Sequence, residues 1–206
     1  MSKKKVLFLD FDGPLFPNRI INFHPANRRK YPGKLSVDTT MEKCTYWKMD
    51  EAAVGMLNSL YEMYPFCTVI SSSWKGFCSK EFIEELFNIN GLMLDLHKDW
   101  HTDRLTFRSC KRIEEITDWI EEHPEYDDYI VIDDPWSGES ICTYKEYREE
   151  SIIPKDNIII IDPTIGLEWG HYTQMHKVVE RWTGVTKEQQ IKEEEKTKAL
   201  YMALIV

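Results

Sequence analysis

The sequence of 206 residues predicts an α/β fold built on a doubly wound parallel sheet. Short apolar segments with strand character alternate with segments whose apolar residues recur at helical spacing. Three of the predicted strands stop at acidic residues, which is where a parallel sheet places its ligands. The length and the hydrophobic content of 42% suit one well-filled core, so we expect a single domain with insertions.

The first predicted strand covers residues 5–9 and ends at Asp10-Phe-Asp12-Gly13. Alternate side chains of a strand point the same way, but a turn at Gly13 lets the two carboxylates take separate tasks. One can attack a substrate while the other transfers a proton. An ordinary Asp-Gly turn would have the same sequence, so this motif needs support from the rest of the chain.

The segment 13–37 contains no acidic residue and carries five cations in a chain whose net charge is -9. Aromatic residues lie between these cations, and several prolines break regular structure. Such a loop could cover the site and hold an anionic substrate, although a solvated surface loop is the alternative. The predicted substrate contacts in this segment are Arg28, Arg29 and Lys30.

A helix over 50–64, capped by Asp50, precedes a second strand at 66–70. This strand ends in Ser71-Ser72-Ser73, whose hydroxyl and backbone donors suit phosphate oxygens as well as a plain turn. A helix from Ser79 to Phe87 and a short third strand at 92–94 follow.

The segment 97–104 is polar and aromatic and is predicted as a loop. His97 and His101 have a spacing that could bind a metal on a helix, but no third ligand follows at a usual offset. The next helix begins after Ser109 and places Lys111 in its first turn. A cation there opposes the helix dipole, which suits a lysine directed at an anion beyond the helix end.

The fourth strand, 129–132, stops at Asp133 and Asp134, and a fifth at 158–161 stops at an acid. A further helix ends at Gly184, so the predicted domain is 1–184. A C-terminal helix over 185–206 could pack on the domain or on a second copy, so both monomer and homodimer stay open.

Composition indicates which ligands and which cellular location to expect. The net charge of -9 argues against general binding to nucleic acid or anionic membranes. No segment is long enough to span a membrane or to form a signal peptide, and five cysteines lack a Cys-x-x-Cys spacing. We therefore expect a cytoplasmic protein with reduced thiols and no membrane partner.

Together these groups predict phosphoryl transfer. Asp10 can attack phosphorus and form an aspartyl-phosphate, and Asp12 can serve as the acid and base. Magnesium, held by carboxylates from two strand ends, lets a carboxylate approach a dianionic phosphate. A serine hydroxyl and Lys111 can stabilise the oxygens of the transferred group.

These motifs, over about residues 5 to 135, resemble the haloacid dehalogenase (HAD) superfamily. The resemblance implies that Asp10 is the nucleophile, Asp12 the general acid and base, and Lys111 the motif-three lysine. Motif two would be Ser72 or Ser71. It also implies a three-layer Rossmann-like domain with the parallel sheet order 5-4-1-2-3.

In motif four, the resemblance assigns Asp133 and Asp134 to Mg²⁺, together with Asp10 and the backbone carbonyl of Asp12. Ser-Ser-Trp after strand two and Asp-Pro-Thr-Ile-Gly-Leu after strand five resemble the HAD domain of Swiss Army Knife RNA repair proteins. The spacing of motifs one and two leaves room only for a minimal cap, the basic insertion at about 18–48. Such an open site tends to admit bulky or polymeric substrates.

The expected function is that of a magnesium-dependent phosphatase acting on a phosphate monoester, with a preference for a nucleotide or nucleic-acid end. Sugar phosphates and phosphoproteins stay open as substrates. A phosphotransferase would use the same residues. The other alternative is a binding module that keeps the anion pocket without catalysing a reaction. Pro14 leaves this alternative open, because it stands where the HAD superfamily usually has a small residue and could stiffen the chain after the nucleophile.

Overall fold

A computed structural model describes residues 4–23, 47–76, 78–102, 112–135, 153–183, 195–199 and 201–202. Its strands are β1 (Lys4–Leu9), β2 (Cys67–Ile70), β3 (Leu96–His101), β4 (Tyr126–Asp133) and β5 (Ile158–Ile160). Its helices are α1 (Asn18–Phe23), α2 (Glu51–Met63), α3 (Lys80–Asn90), α4 (Arg112–Glu122) and α5 (Trp169–Thr183). Short 3-10 turns cover Ser73–Gly76 and Lys155–Asn157.

The strands form a five-stranded parallel sheet in the order β3-β2-β1-β4-β5. This is the predicted order 5-4-1-2-3 read from the other edge, so the predicted fold class is confirmed. Leu9 at the end of β1 lies opposite Ile70 in β2 and Ile132 in β4. The residues that follow these three strands therefore meet at the carboxyl end of the sheet.

β1 is buried on both faces, as the centre of a covered parallel sheet requires. Leu7 and Leu9 belong to a cluster that includes side chains of α2, α3 and α5. Val6 and Phe8 point the other way and pack in a second cluster with side chains of α4. Helices therefore cover both faces, which gives the three layers.

The predicted helix starts are confirmed for α2 and α3. The Asp50 carboxylate accepts a hydrogen bond from the Ala52 amide at 3.2 Å. The Ser79 hydroxyl accepts one from the Phe82 amide at 3.3 Å, and α3 ends at Gly91 in the left-handed conformation. These caps satisfy amides that the first helical turn leaves without a partner.

The predicted third strand was wrong. Residues 92–94 are not in the sheet, and β3 instead begins at Leu96 and includes His97 and His101, which were predicted to lie in a loop. β3 is an edge strand that pairs only with β2, through Leu96 opposite Thr68 and His101 opposite Ile70. Half-exposed edge positions tolerate polar and aromatic residues, so the apolar pattern of a buried strand is absent.

The described part of the C-terminal segment is helical at 195–199 and 201–202. The Thr197 side chain is buried, and its hydroxyl lies 2.6 Å from the Ser59 hydroxyl of α2 and 3.3 Å from the Tyr172 hydroxyl of α5. This part of the segment therefore packs on the domain itself. The domain limits 1–184 and 185–206 stay predictions. Among the described residues, we find no helix with the length and apolar character needed to cross a membrane.

The loop after β5 holds the base of the predicted basic insertion. The Asn18 amide donates to the Pro163 carbonyl at 2.7 Å, and the Arg19 guanidinium donates to the Ile165 carbonyl at 2.6 Å. Gly166 has a φ of +88°, and a Cβ there would lie 2.8 Å from the Pro17 ring. Only glycine gives both this backbone conformation and this close approach. The glycine of the Asp-Pro-Thr-Ile-Gly sequence therefore has a packing role.

We expect Gly166→Ala to destabilise the protein by about 2 to 4 kcal/mol, because it adds a left-handed alanine and a steric clash. Gly91→Ala is the matched control. Gly91 also has a positive φ, of +71°, but nothing lies within 4 Å of its Cβ position. The Gly91→Ala substitution should lower the free energy of unfolding by only about 1 to 2 kcal/mol. Denaturant unfolding measures both, and equal losses would contradict the contact with Pro17.

Candidate active site

The candidate site lies where β1, β2 and β4 end. The Asp10 amide donates to the Ile132 carbonyl at 3.0 Å, and the Ser71 amide donates to the Leu9 carbonyl at 2.9 Å. These bonds continue the strand pairing by one residue past the end of β1. They place Asp10 between the serines after β2 and the acids after β4.

Asp10 is 3% exposed and has charged neighbours of both signs. Arg112, at the start of α4, places its Nη1 atom 3.5 Å from Asp10 Oδ1 and its Nε atom 3.7 Å from Asp133 Oδ2. Burial raises the pKa of Asp10 well above its usual range, and the charge of Asp133 raises it further. Arg112 opposes this shift, as does a hydrogen bond with the Ser72 hydroxyl.

Asp12 lies in the turn after β1 and is held by Trp74. The Trp74 indole Nε1–H donates to Asp12 Oδ2 at 3.1 Å. Burial raises the pKa of Asp12, and this indole hydrogen bond acts in the opposite direction. The indole ring itself is 4% exposed and stacks on Phe16, with ring centroids 5.2 Å apart. The position of the Asp12 carboxylate is therefore fixed by the aromatic core.

Gly13 brings the turn against the acids that follow β4. Its φ is +97°, and a Cβ at this position would lie 3.0 Å from Asp134 Oδ2. Asp133 and Asp134 are both buried, and Asp133 Oδ1 accepts a hydrogen bond from the Asp134 amide at 2.8 Å. The acids of the first and fourth motifs thus form one cluster.

The three serines after β2 have different environments. The Ser72 hydroxyl contacts Asp10 and accepts the Trp74 amide at 3.4 Å. The Ser71 Oγ atom is buried and has no hydrogen-bond partner within the described ranges. Ser73 is exposed at the start of its 3-10 turn. Of the three, Ser72 is the serine that the structure brings to the Asp10 side chain.

The residues present suit a hard divalent cation. Asp10, Asp133 and Asp134 are buried within one cluster together with the less buried Asp12, and mutual repulsion contributes to the raised pKa values of Asp10 and Asp12. Among the described residues, Arg112 brings one positive charge to these four carboxyl groups. Carboxylate oxygens are the preferred ligands of Mg²⁺, so such an ion both fits the donor set and offsets the surplus negative charge.

Several predicted site residues lie outside the described residues, namely Lys111, Arg28, Arg29 and Lys30. Sequence reasoning missed Arg112 and the contact of Trp74 with Asp12. A helical pattern could have found Arg112, because it lies four residues before Ile116 on the buried face of α4. The only hint of the Trp74 contact was an aromatic residue in an otherwise polar turn.

Comparison with known proteins gives one family. Residues 6–172 match the family model described as the HAD domain in Swiss Army Knife RNA repair proteins. The match covers more than half of the chain and supports a phosphatase-type hydrolase of the HAD superfamily. No curated protein and no solved structure matches the chain.

Asp10→Asn should stabilise the protein when a chelator removes divalent ions. The pKa of Asp10 is raised in the folded state, so this group favours folding at low pH and loses that contribution as the pH rises through its folded pKa. Asparagine removes the charge, and the melting temperature of the variant should exceed that of the native chain near neutral pH and converge with it in acid.

The control is Glu85→Gln, an exposed acid in α3, which should leave the melting profile nearly unchanged. Added Mg²⁺ should raise the melting temperature of the native chain more than that of Asp10→Asn. Identical pH profiles for the native chain and Asp10→Asn would contradict the repulsion within the acid cluster.

Proposed function

The chain belongs to the family of HAD domains in Swiss Army Knife RNA repair proteins, and from that membership we propose that it is a magnesium-dependent phosphatase acting on phosphate monoesters. The observation that carries the proposal is the cluster of Asp10, Asp12, Asp133 and Asp134 around one buried guanidinium. If Asp12-Gly13 were only an ordinary turn after a strand, nothing would require Asp133, Asp134 and Arg112 to lie beside it.

The reaction has two steps. An Asp10 carboxylate oxygen attacks phosphorus, the bond from phosphorus to the alcohol oxygen breaks, and Asp12 gives its proton to that oxygen. In the second step Asp12 takes a proton from water while the water oxygen attacks phosphorus. The bond to Asp10 then breaks, which releases inorganic phosphate and restores both carboxyl groups.

The environment of Asp12 supports its role. Burial raises its pKa, so the carboxyl group keeps a proton to a higher pH than an exposed aspartate does. The bond from Trp74 lies on Oδ2, which fixes the rotamer. Asp12 is therefore held in one position for both proton transfers.

Arg112 and Ser72 are the groups that meet the transferred phosphoryl oxygens in this proposal. Arg112 already contacts the nucleophile and Asp133, and its planar guanidinium matches oxyanions well. Asp10, Asp133, Asp134 and the Asp12 carbonyl would hold Mg²⁺, whose charge offsets the repulsion between carboxylates and phosphate.

For the substrate we propose a phosphorylated nucleotide or nucleic-acid end. The matched family is described as belonging to RNA repair proteins. The basic, aromatic segment 13–37 supplies cations for phosphates and rings for bases, with Arg28, Arg29 and Lys30 as the proposed contacts.

The first test measures phosphate release from an aryl phosphate, from nucleotides and from oligonucleotides phosphorylated at either end. We expect release with Mg²⁺, none with chelator, and a loss of several orders of magnitude for Asp10→Asn, because the covalent route needs the carboxylate. Rapid turnover of small sugar phosphates with no release from oligonucleotides would overturn the substrate. Magnesium-dependent binding with no release from any compound would favour the binding module.

A second experiment identifies the motif-three cation. Arg112→Met should lower kcat/KM on the order of 100-fold or more, because it removes the positive charge at the nucleophile. Arg112→Lys should retain part of the activity. Lys111→Met is the matched variant one residue away. If it alone abolishes activity while Arg112→Met does not, the role belongs to Lys111, as the sequence predicted.

Transfer and hydrolysis can be separated in the same assay by adding alcohols as acceptors. Hydrolysis predicts that released phosphate equals released alcohol at every acceptor concentration. Appearance of a phosphorylated acceptor at the expense of free phosphate would identify a phosphotransferase.

A further inference from the structure

A second cluster of ionisable side chains lies away from the candidate active site. It contains His97 and Asp99 of β3 and His123, which follows α4. One ligand atom from each residue lies within 4.8 Å of the other two. The two histidines are buried, whereas the Asp99 side chain is 52% exposed. Neither the matched family description nor the proposed reaction uses these residues.

The hydrogen bonds of His123 require a positive charge beside its ring. His123 Nδ1 lies 2.8 Å from the Trp119 carbonyl oxygen, which only accepts, so Nδ1 carries the proton. His123 Nε2 lies 3.0 Å from Asp99 Oδ2, which also only accepts when ionised. A neutral imidazole has one N–H, so its Nε2 lone pair would face a carboxylate lone pair. A second proton or a metal ion removes this conflict.

His97 supplies the further nitrogen that a metal site needs and that an ion pair of His123 with Asp99 does not use. Its ring centroid is 5.2 Å from that of His123. His97 Nδ1 lies 3.1 Å from the Asp99 amide nitrogen and 3.3 Å from the Asp99 carbonyl oxygen. The Asp99 amide donates to Nδ1, so Nε2 carries the proton of the neutral ring. Nε2 offers a lone pair to a metal when the ring takes the other tautomer, in which Nδ1–H donates to the Asp99 carbonyl.

The rings are held as metal-ligating histidines usually are. Such a ring donates its other N–H to a carbonyl or carboxylate, which fixes its orientation. His123 does so through the Trp119 carbonyl and also stacks on the Trp119 ring, with centroids 3.9 Å apart. The Trp119 indole donates to the Asp99 carbonyl at 3.2 Å. The His123 side chain and the backbone of Asp99 are therefore positioned before any ion binds.

The surroundings favour a cation. Asp99 and His123 line an open cleft of about 760 Å³, and acidic side chains of α4 line the same space. These are Asp118, Glu121 and Glu122, whereas Glu115, which also lines the cleft, is buried and pairs with Lys75. Among the described residues, a cation that competes for Asp99 is Lys98, whose Nζ lies 3.7 Å from Asp99 Oδ2. The Lys98 side chain is 79% exposed and can move into solvent.

We propose that His97, Asp99 and His123 bind a first-row transition-metal ion, with Zn²⁺ as the best fit and water completing the coordination. Two imidazoles and one carboxylate are a common ligand set for such ions, whereas Mg²⁺ prefers oxygen ligands alone. Ligands of a tetrahedral Zn²⁺ lie about 3.4 Å apart for bonds of about 2.1 Å. On binding, the pair of His123 Nε2 and Asp99 Oδ2 at 3.0 Å would therefore open slightly, and the wider pairs, which lie within 4.8 Å, would close. The ion would join edge strand β3 to the end of α4.

The test titrates Co²⁺, a spectroscopic substitute for Zn²⁺, into the full chain in the presence of excess Mg²⁺, which occupies the carboxylate cluster. We expect one Co²⁺ per chain, visible absorption bands of a low-coordinate site, and no sulfur-to-metal band. Asp99→Asn keeps the shape of an exposed side chain and should weaken binding on the order of 100-fold, and His123→Gln likewise. Zn²⁺ should displace Co²⁺.

His101→Gln is the matched control, because His101 lies in the same strand and lines the same cleft but is outside the cluster. It should bind Co²⁺ like the native chain. Zn²⁺ should raise the melting temperature of the native chain and of Asp10→Asn but not of Asp99→Asn. The proposal is overturned if the native chain takes up no Co²⁺, or if folded Asp99→Asn and His123→Gln bind it as the native chain does.

Discussion

The contact of the Arg112 guanidinium with Asp10 and Asp133 is the interaction on which the candidate site depends. The two carboxylates end adjacent strands of the sheet and are nearly inaccessible to water, at 3% and 0% exposure. Buried like charges at such positions are strongly unfavourable without a partner. Arg112 spans both, at 3.5 and 3.7 Å, and it comes from a helix rather than from the sheet. The packing of α4 therefore decides whether the site is complete.

The aromatic core supplies the second constraint. Trp74 packs against Phe11, Phe16 and Trp47, with ring centroids between 5.2 and 5.9 Å apart. Its indole Nε1–H, the polar group of the side chain, donates to Asp12. A buried indole N–H needs an acceptor, and here the acceptor is the proposed general acid. The ring that packs in the core thus also positions the proposed proton donor. Substitutions in this aromatic cluster would therefore change the position of the Asp12 carboxylate.

The sequence predicted β1, β2 and the buried second half of β4, because central strands that are buried on both faces appear as continuous apolar runs. It missed the start of β4 at residues 126–128, where the strand is polar and partly exposed. It failed at β3, where pairing on one side alone lets His97 and Asp99 occupy strand positions. It named Lys111, which lies outside the described residues, and it missed the contact that Arg112 makes with Asp10. Motif spacing locates the start of a helix, but neighbouring helical residues point about 100° apart, so the contacts of each residue depend on how the helix packs.

Helix α4 connects the candidate active site with the proposed transition-metal site. Arg112 and His123 lie at opposite ends of the α4 segment, eleven residues or about 16 Å apart along a helix axis. An ion at His123 would make no direct contact with Arg112 at such a distance. We therefore expect any coupling to pass chiefly through the position of the helix. An ion that joins β3 to the end of α4 would then act on Arg112 by restricting the helix, and its primary effect would be on stability rather than on the charge of the active site.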